Sequence, residues 1–587
     1  MQIMIERDVM VTMRDGVRLA TDIYRPATAE PVPALVVRLP YGKAIAGMLA
    51  DGRNLPSILA LAEAGYAVVW QDSRGSGNSE GQFTALQDET RDGEDLLQWL
   101  ANQPWCNGKF GTYGRSYLGF TQWSLAAGKV DGRLLAMIPS YTSADHYAGA
   151  FHHEGGLLAL NCAIAWSLNM AMMLAARPGA RENGSPPDVR ALQQAAAEGI
   201  RYYRRLPLAD RPELRATAPW YATWFDHPDR DAYWREISPS ERYDLMTTPS
   251  LNVGGWFDIF INQTLTSYMA LRKRGASEAA RSGQRLLIGP WSHGVLTGVF
   301  PEMHFGPLGD MMTQDITGRH LKFYDRWING NARALDDTKP VRIFIMGINQ
   351  WRDETDWPLP DTAWTDYYLS GSGRANSMHG DGVLSTQAPS SNAVDAYLYD
   401  PRRPVPTLGG HLYGGLPMVS DTSLAAGPAD QRPNEARDDV LCYTTDTLNR
   451  PVEVTGPITL VLHVSSSAKD TDFIAKLIDV HPDGRAMFVT EGALRGRYRL
   501  STSHPHLLIP GEIYELRFEL WGTSNVFLSG HRLRLEITSS NFPRFDRNTN
   551  TGGDIGSETE DDFVLTLNRV YHGPDYPSRL ILPIIDR

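Results

Sequence analysis

Cysteine is nearly missing from this chain: Cys106, Cys162 and Cys442 are the only 3 among 587 residues. Being few, odd in number and far apart, they exclude a disulfide framework and a thiolate metal site, and read as reduced thiols of a cytoplasmic protein. Basic runs are missing too. With a formal net charge of −12, the chain lacks the phosphate-neutralising surface that nucleic-acid binding depends on. It has no G-x-x-x-x-G-K-S/T loop and no dinucleotide fingerprint, so the glycine-rich stretch 71–81 is not a phosphate cradle. Asp72 and Arg74 within that stretch are expected to form a structural pair. Residues 1–8 lack the basic and apolar regions of a signal peptide. One apolar run, 157–176, has the length of a membrane span. It carries Asn161, Ser167 and Asn169 and follows His152, His153 and Glu154, which makes it a core helix. No internal repeat or low-complexity linker interrupts the chain, and no metal, cofactor or membrane partner is expected.

What is present has the composition of a globular protein, 42% hydrophobic and 21% charged, and a length that calls for several domains. Asp15-Gly16 between two extended segments marks a hairpin. Residues 34–38 and 66–70 are continuous apolar runs, as strands buried on both faces require. Helical patterns at 55–63 and 88–100 alternate with them, the order of an α/β domain with a largely parallel sheet. The alternation stops near residue 145. Helical segments follow, including 157–176 and a helix with Ser185 as N-cap, Pro186 in the first turn and 191–203 as its body. A strand returns at 251–254 and another at 285–288. From about residue 341 short alternating strands dominate, as in 458–464, 513–520 and 531–537, the pattern of a jelly-roll-like sandwich. The expected division is an α/β core at 1–144 and 246–348, a helical cap at 145–245, and an all-β domain at 349–587.

Gly114-Arg115-Ser116-Tyr117-Leu118-Gly119 lies between a strand pattern and a buried helix pattern. A serine between glycines at a strand-to-helix turn is a nucleophile elbow, in which a strained turn pushes the hydroxyl above the sheet. On such a sheet the partners follow in the order carboxylate, then histidine, each just past a strand. Asp258 after 251–254 and His293 after 285–288 fit without adjustment. Imidazole takes the serine proton near neutral pH, and the carboxylate holds its tautomer. Asp258 on its own also suits a helix N-cap. The histidines His146, His152, His153, His227, His304 and His320 do not follow a strand of the right kind. The oxyanion of the tetrahedral intermediate needs donors; the Tyr117 N–H is one by geometry, and Tyr41, after an earlier strand, is a candidate for the other.

Several long motifs carry a resemblance: Asp72-Ser73-Arg74-Gly75, the hexapeptide around Ser116, Gly289-Pro290-Trp291-Ser292-His293, residues 351–360 and residues 539–548. Over nearly its whole length the chain resembles the cocaine esterase group of the α/β-hydrolase superfamily, which also holds X-Pro dipeptidyl-peptidases and α-amino-acid ester hydrolases. The resemblance implies an α/β-hydrolase core with an inserted helical cap and a C-terminal jelly roll. It implies Ser116 as nucleophile, His293 as base, Asp258 as its orienter, and the Tyr41 hydroxyl with the Tyr117 N–H as oxyanion hole. It also implies substrate-binding rings at Phe151, Trp166 and Phe260. Leu118 stands where amino-acid ester hydrolases carry an ammonium-binding carboxylate, and Gly414 where the pocket's C-terminal wall is expected to be aromatic, which suggests a more open site.

The expected activity is therefore a serine carboxylesterase acting on small-molecule esters of hydrophobic or aromatic acids through an acyl-enzyme. The alternatives are an amide hydrolase of the same group (an acylase or an X-Pro dipeptidyl-peptidase) and, more remotely, a non-catalytic glycan-binding protein. The exposed face of the sandwich is a candidate surface for a homodimer.

Overall fold

The computed structural model describes residues 2–149, 151–177, 188–414 and 424–587. A ten-stranded sheet runs in the spatial order Ile3–Thr12, Arg18–Pro26, Ala67–Asp72, Val32–Leu39, Cys106–Arg115, Leu134–Ser140, Leu251–Phe257, Arg285–Ser292, Val341–Ile345, Gln350–Glu354. From Ala67–Asp72 to Val341–Ile345 every neighbouring pair is parallel. The outer pairs are antiparallel. Ala67–Asp72 and Leu251–Phe257 are buried along their whole length, because helices such as Glu89–Ala101, Tyr117–Ala126, Ile261–Arg274 and Ile316–Trp327 cover the sheet. The first hairpin turns at Asp15-Gly16, where Gly16 takes φ 87°, a left-handed value that costs glycine nothing. The strand Gln350–Glu354 carries this sheet past the boundary expected at residue 348.

Between Ser140 and Leu251 the main elements are helices: Leu160–Ala176, Val189–Ala197, Ile200–Arg204, Trp220–Asp226 and Ala232–Ile237. Ser185 and Pro186 lie outside the described residues. The helix expected from them begins at Val189, where the side chain of Asp188 accepts the Ala191 N–H at 3.0 Å. Leu160–Ala176 has apolar residues on every side because it is buried nearly all round, in a cluster with Tyr117, Phe120, Phe260, Trp220 and Trp224. Among the described residues, no helix is long and apolar enough to cross a membrane.

The rest of the chain is an eleven-stranded β-rich domain from Ala363–Ser370 to Arg579–Ile585. One apolar core joins its strands, drawing on Leu369, Tyr443, Leu460, Phe473, Phe518, Leu535 and Leu582 among others. Two of its strands, Asp472–Val480 and Ala486–Arg495, are buried on both faces. Ile478 and Phe488 leave that core to pack with Trp256, Phe257 and Phe344 of the first sheet, and Ile474 and Ala493 pack with Leu157. The β-rich domain is thereby held against both the core and the helical insertion.

The glycine-rich loop is structural, but not through the pair expected from sequence. Arg74 binds Asp92 at 2.6 Å and Asp15 at 2.7 Å. Asp72 instead accepts the Asn78 N–H at 2.9 Å and lies 3.5 Å from the Lys43 ammonium.

Candidate active site

Ser116 sits between the strand Cys106–Arg115 and the helix Tyr117–Ala126, at φ 58° and ψ −126°. For a residue with a Cβ this conformation costs on the order of 1–3 kcal/mol, and such strain persists only where the surroundings impose it. The flanking glycines are part of what permits it. A Cβ on Gly114 would stand 2.5 Å from the Leu118 Cβ, and one on Gly119 would stand 2.4 Å from Thr142 Cγ2. The Tyr117 side chain anchors the turn from below: its hydroxyl donates to Glu89 Oε1 at 3.0 Å and accepts the Leu86 N–H at 2.9 Å. As the first residue of its helix, Tyr117 has a backbone N–H with no intrahelical acceptor.

Asp258 and His293 arrive at the same edge of the sheet. His293 Nε2 lies 3.1 Å from Ser116 Oγ, and its Nδ1 lies 2.7 Å from Asp258 Oδ1. Asp258 is fully buried and its second oxygen accepts the Phe260 N–H at 3.2 Å. One carboxylate thus orders the turn into Ile261–Arg274 and also faces the imidazole, so the two roles read from sequence coexist. The strands bearing Ser116 and Asp258 are not neighbours; Leu134–Ser140 lies between them. The gap is bridged by side chains. Arg115 donates to the His293 carbonyl and, at 2.7 Å, to Asn54 Oδ1, while its guanidinium lies 4.8 Å above the Tyr141 ring. Sequence reasoning passed over Arg115, although it directly precedes the serine; a residue that braces the loop carrying the histidine has no local signature.

Tyr41 follows the strand Val32–Leu39, and its oxygen accepts the Trp166 indole N–H at 3.2 Å. Burial pushes its phenol up to about 12, against the opposing pull of Trp166 and Ser116, so at neutral pH the hydroxyl keeps its proton and can donate it. Around these groups lies a wall of rings. Trp166 stacks on Tyr117 with centroids 6.0 Å apart, and Phe260 meets His293 edge-on at 5.3 Å and Phe120 at 5.5 Å. Phe151 stands one ring further back, 5.5 Å from Trp166 and stacked on Trp224 at 3.6 Å. His146 and His152 are buried among these aromatics and held neutral, both pushed down to about 3 by burial.

Tyr413 closes the wall on the C-terminal side. Its ring lies 5.5 Å from that of His293, and its N–H is held by Asn161 Oδ1 at 2.8 Å. The aromatic sought at position 414 is therefore supplied one residue earlier. Gly414 itself packs on the loop after the histidine, since a Cβ there would stand 3.6 Å from Gly294 Cα; Gly415 lies outside the described residues.

This segment is tied down by Glu491. Its carboxylate accepts from Asn541 Nδ2 at 2.6 Å and from Arg544 Nε at 3.3 Å, and lies 3.3 Å from His411 Nδ1. The other His411 nitrogen is 3.0 Å from the Trp256 carbonyl. Burial alone would raise the Glu491 carboxyl, but His411, Arg544 and Lys476 outweigh it and hold the group at about 2. The folded value lies below an unfolded value of roughly 4.3. The group therefore stabilises the fold above that pH and loses its contribution as pH falls through the folded value. Glu491→Gln should cost roughly 3 kcal/mol in urea unfolding at pH 7, and the gap to the unmodified chain should narrow to about half at pH 3. An unchanged gap at the two pH values would refute this role.

An α/β sheet with a strained serine at a strand-to-helix turn, hydrogen-bonded to a histidine that pairs with a buried aspartate, defines a serine hydrolase of the α/β-hydrolase type. Comparison with known proteins gives the family. Residues 15–295 match the family described as X-Pro dipeptidyl-peptidase (S15 family), and residues 333–581 match the X-Pro dipeptidyl-peptidase C-terminal non-catalytic domain. The chain is 45% identical over 584 residues to the cocaine esterase of Rhodococcus sp. (strain MB1 Bresler), covering 99% of this chain and 98% of that protein. Among solved structures it resembles an α-amino acid ester hydrolase at 26% identity and TM-score 0.79, covering 99% of this chain and 97% of that one. It also resembles an aminopeptidase from a marine sediment archaeon (Thaumarchaeota archaeon) at 25% identity and TM-score 0.78, covering 100% and 96%. The chain belongs to the family of cocaine esterase and the S15 X-Pro dipeptidyl-peptidases.

Proposed function

We propose that this chain is a carboxylesterase that cleaves esters of hydrophobic or aromatic acids, with Ser116 as nucleophile, His293 as general base and acid, and Asp258 as the group orienting His293. The observation that carries this reading is the unbroken hydrogen-bonded series Ser116–His293–Asp258 set into a wall of aromatic rings. Ser116 Oγ attacks the ester carbonyl carbon while His293 Nε2 takes its proton. The carbonyl oxygen becomes an oxyanion facing the Tyr41 hydroxyl and the Tyr117 N–H. Collapse of the intermediate breaks the bond to the alcohol oxygen, which leaves with the proton from His293. Water then attacks the acyl-enzyme, its proton passes to His293, and Ser116 is released as the carboxylic acid departs. The rings of Trp166, Phe260 and Tyr413 suit a flat apolar acyl group, with Phe151 supporting Trp166 from behind.

Tyr41 is assigned the second oxyanion donor because Trp166 occupies its acceptor side and leaves its proton for the substrate oxygen. Tyr41→Phe should lower kcat by about 10²–10³ with KM nearly unchanged, since the lost bond forms fully only in the transition state. A loss confined to KM would remove Tyr41 from this role.

Amide hydrolysis is the second reading, favoured by the family description and by the aminopeptidase among the structural neighbours. Leu118 counts against an α-amino-acid ester hydrolase, because it stands where those enzymes carry their carboxylate and here packs into the apolar core beneath the elbow. Paired assays on a benzoate ester and the matching anilide decide between ester and amide hydrolysis. An ester preference of at least about a hundredfold is expected, because an amide nitrogen must be protonated to leave, and comparable turnover would favour the amide reading.

We also read the C-terminal domain as a jelly-roll-like sandwich and the setting as cytoplasmic, which the three buried, unpaired cysteines fit.

A further inference from the structure

A second polar centre lies away from Ser116, where the first sheet meets the β-rich domain. Asp479 is the last but one residue of the strand Asp472–Val480, His481 follows that strand, and His531 precedes the strand Arg532–Thr538. Those two strands pair antiparallel with Val480 opposite Arg532 and Asp479 opposite Leu533. The register therefore sets His481 beside His531, and the two-residue period of a strand puts Asp479 on the same face. The ring centroids of His481 and His531 are 4.5 Å apart. His531 Nδ1 lies 2.8 Å from Asp479 Oδ1, and His481 Nε2 lies 3.8 Å from Asp479 Oδ2, too far for a hydrogen bond. One ligand atom from each of the three falls within 4.8 Å of the others. All three line a cavity of about 300 Å³ together with Phe257, Glu302 and His304 of the core.

We propose that Asp479, His481 and His531 form a binding site for a divalent first-row transition ion such as Zn²⁺. Two imidazoles and one carboxylate are a donor set that suits such ions. Ligands held about 2.1 Å from a shared ion stand roughly 3–4 Å apart, so a small rotation of His481 toward Asp479 closes the set. His304 and Glu302 line the same cavity and offer further donors for the remaining coordination positions. Glu302 accepts the Asp430 N–H at 2.8 Å. One cation, Arg485, also lines the cavity, but its charge is taken up by Asp483 at 2.8 Å. An ion here would join the paired ends of the strands Asp472–Val480 and Arg532–Thr538. The spacing was invisible in sequence because Asp479 and His531 are 52 residues apart and meet only through strand pairing.

The test is calorimetric titration of the chelator-treated full chain with Zn²⁺. One equivalent should bind, with affinity falling at least about tenfold in His481→Ala and in His531→Ala, each checked for folding by circular dichroism in chelator. The unmodified chain gives an independent readout: added Cu²⁺ should show electron paramagnetic resonance splitting from two imidazole nitrogens. Zn²⁺ should also raise the melting temperature, since an ion that binds only the folded state stabilises it. Binding that is no tighter than in the His481→Ala/His531→Ala double variant, or a Cu²⁺ spectrum without nitrogen splitting, overturns the proposal.

Discussion

Ser116→Ala should reduce ester turnover by about 10⁶ and abolish labelling by a fluorophosphonate probe. The hydroxyl is the only atom lost, and it makes no helix-capping bond in the resting structure, so the melting temperature should hardly move. The residual rate over water should come from the oxyanion donors and substrate binding alone. A companion variant separates chemistry from strain. Ser116→Gly also removes the nucleophile, but it relieves the φ 58° backbone, and should raise stability by about 1 kcal/mol in chemical denaturation. If Ser116→Ala retains turnover within about tenfold, another nucleophile does the work and the assignment fails.

Asp258→Asn should lower kcat by about 10⁴ while leaving KM within a few-fold. The carboxylate at 2.7 Å accepts the Nδ1 proton of His293 and so leaves Nε2 free to take the serine proton. An amide presenting its N–H₂ instead would reverse the tautomer, and Nε2 would carry a proton it cannot accept twice. Because Asp258 also receives the Phe260 N–H, the asparagine oxygen can keep that bond, and circular dichroism should show an intact fold. A drop of less than about tenfold would mean that His293 is oriented by something else, and Asp258 would then be only a helix-entry turn.

Much of the core was legible because its signals are local. Val36 and Val69 lie in continuous apolar runs, as a strand buried on both faces requires. The order serine, aspartate, histidine was legible because each follows its own strand, and the sheet brings strand ends to one edge. Asp72 and Arg74 misled because both are charged and close in sequence, whereas their partners Lys43, Asp15 and Asp92 come from other loops and the next helix. The helix expected from Ser185 is entered instead at Asp188. Several polar residues near a helix start can each cap it, and only the backbone conformation chooses among them.

The sequence by itself determined the reaction type. A serine between glycines at a strand end, with an aspartate and a histidine past later strands, needs only chain order and elementary acid–base chemistry to be read. The tertiary structure alone decided what surrounds that chemistry. Tyr413 reaches His293 because Asn161, 252 residues away, holds its N–H; Arg115 braces the carbonyl of His293 from 178 residues away; and His531 meets Asp479 only through strand register. The division has a physical reason. Backbone geometry is set by neighbours along the chain, whereas the walls of a site are built from contacts between segments that are distant in the chain and meet only when their apolar faces are buried together.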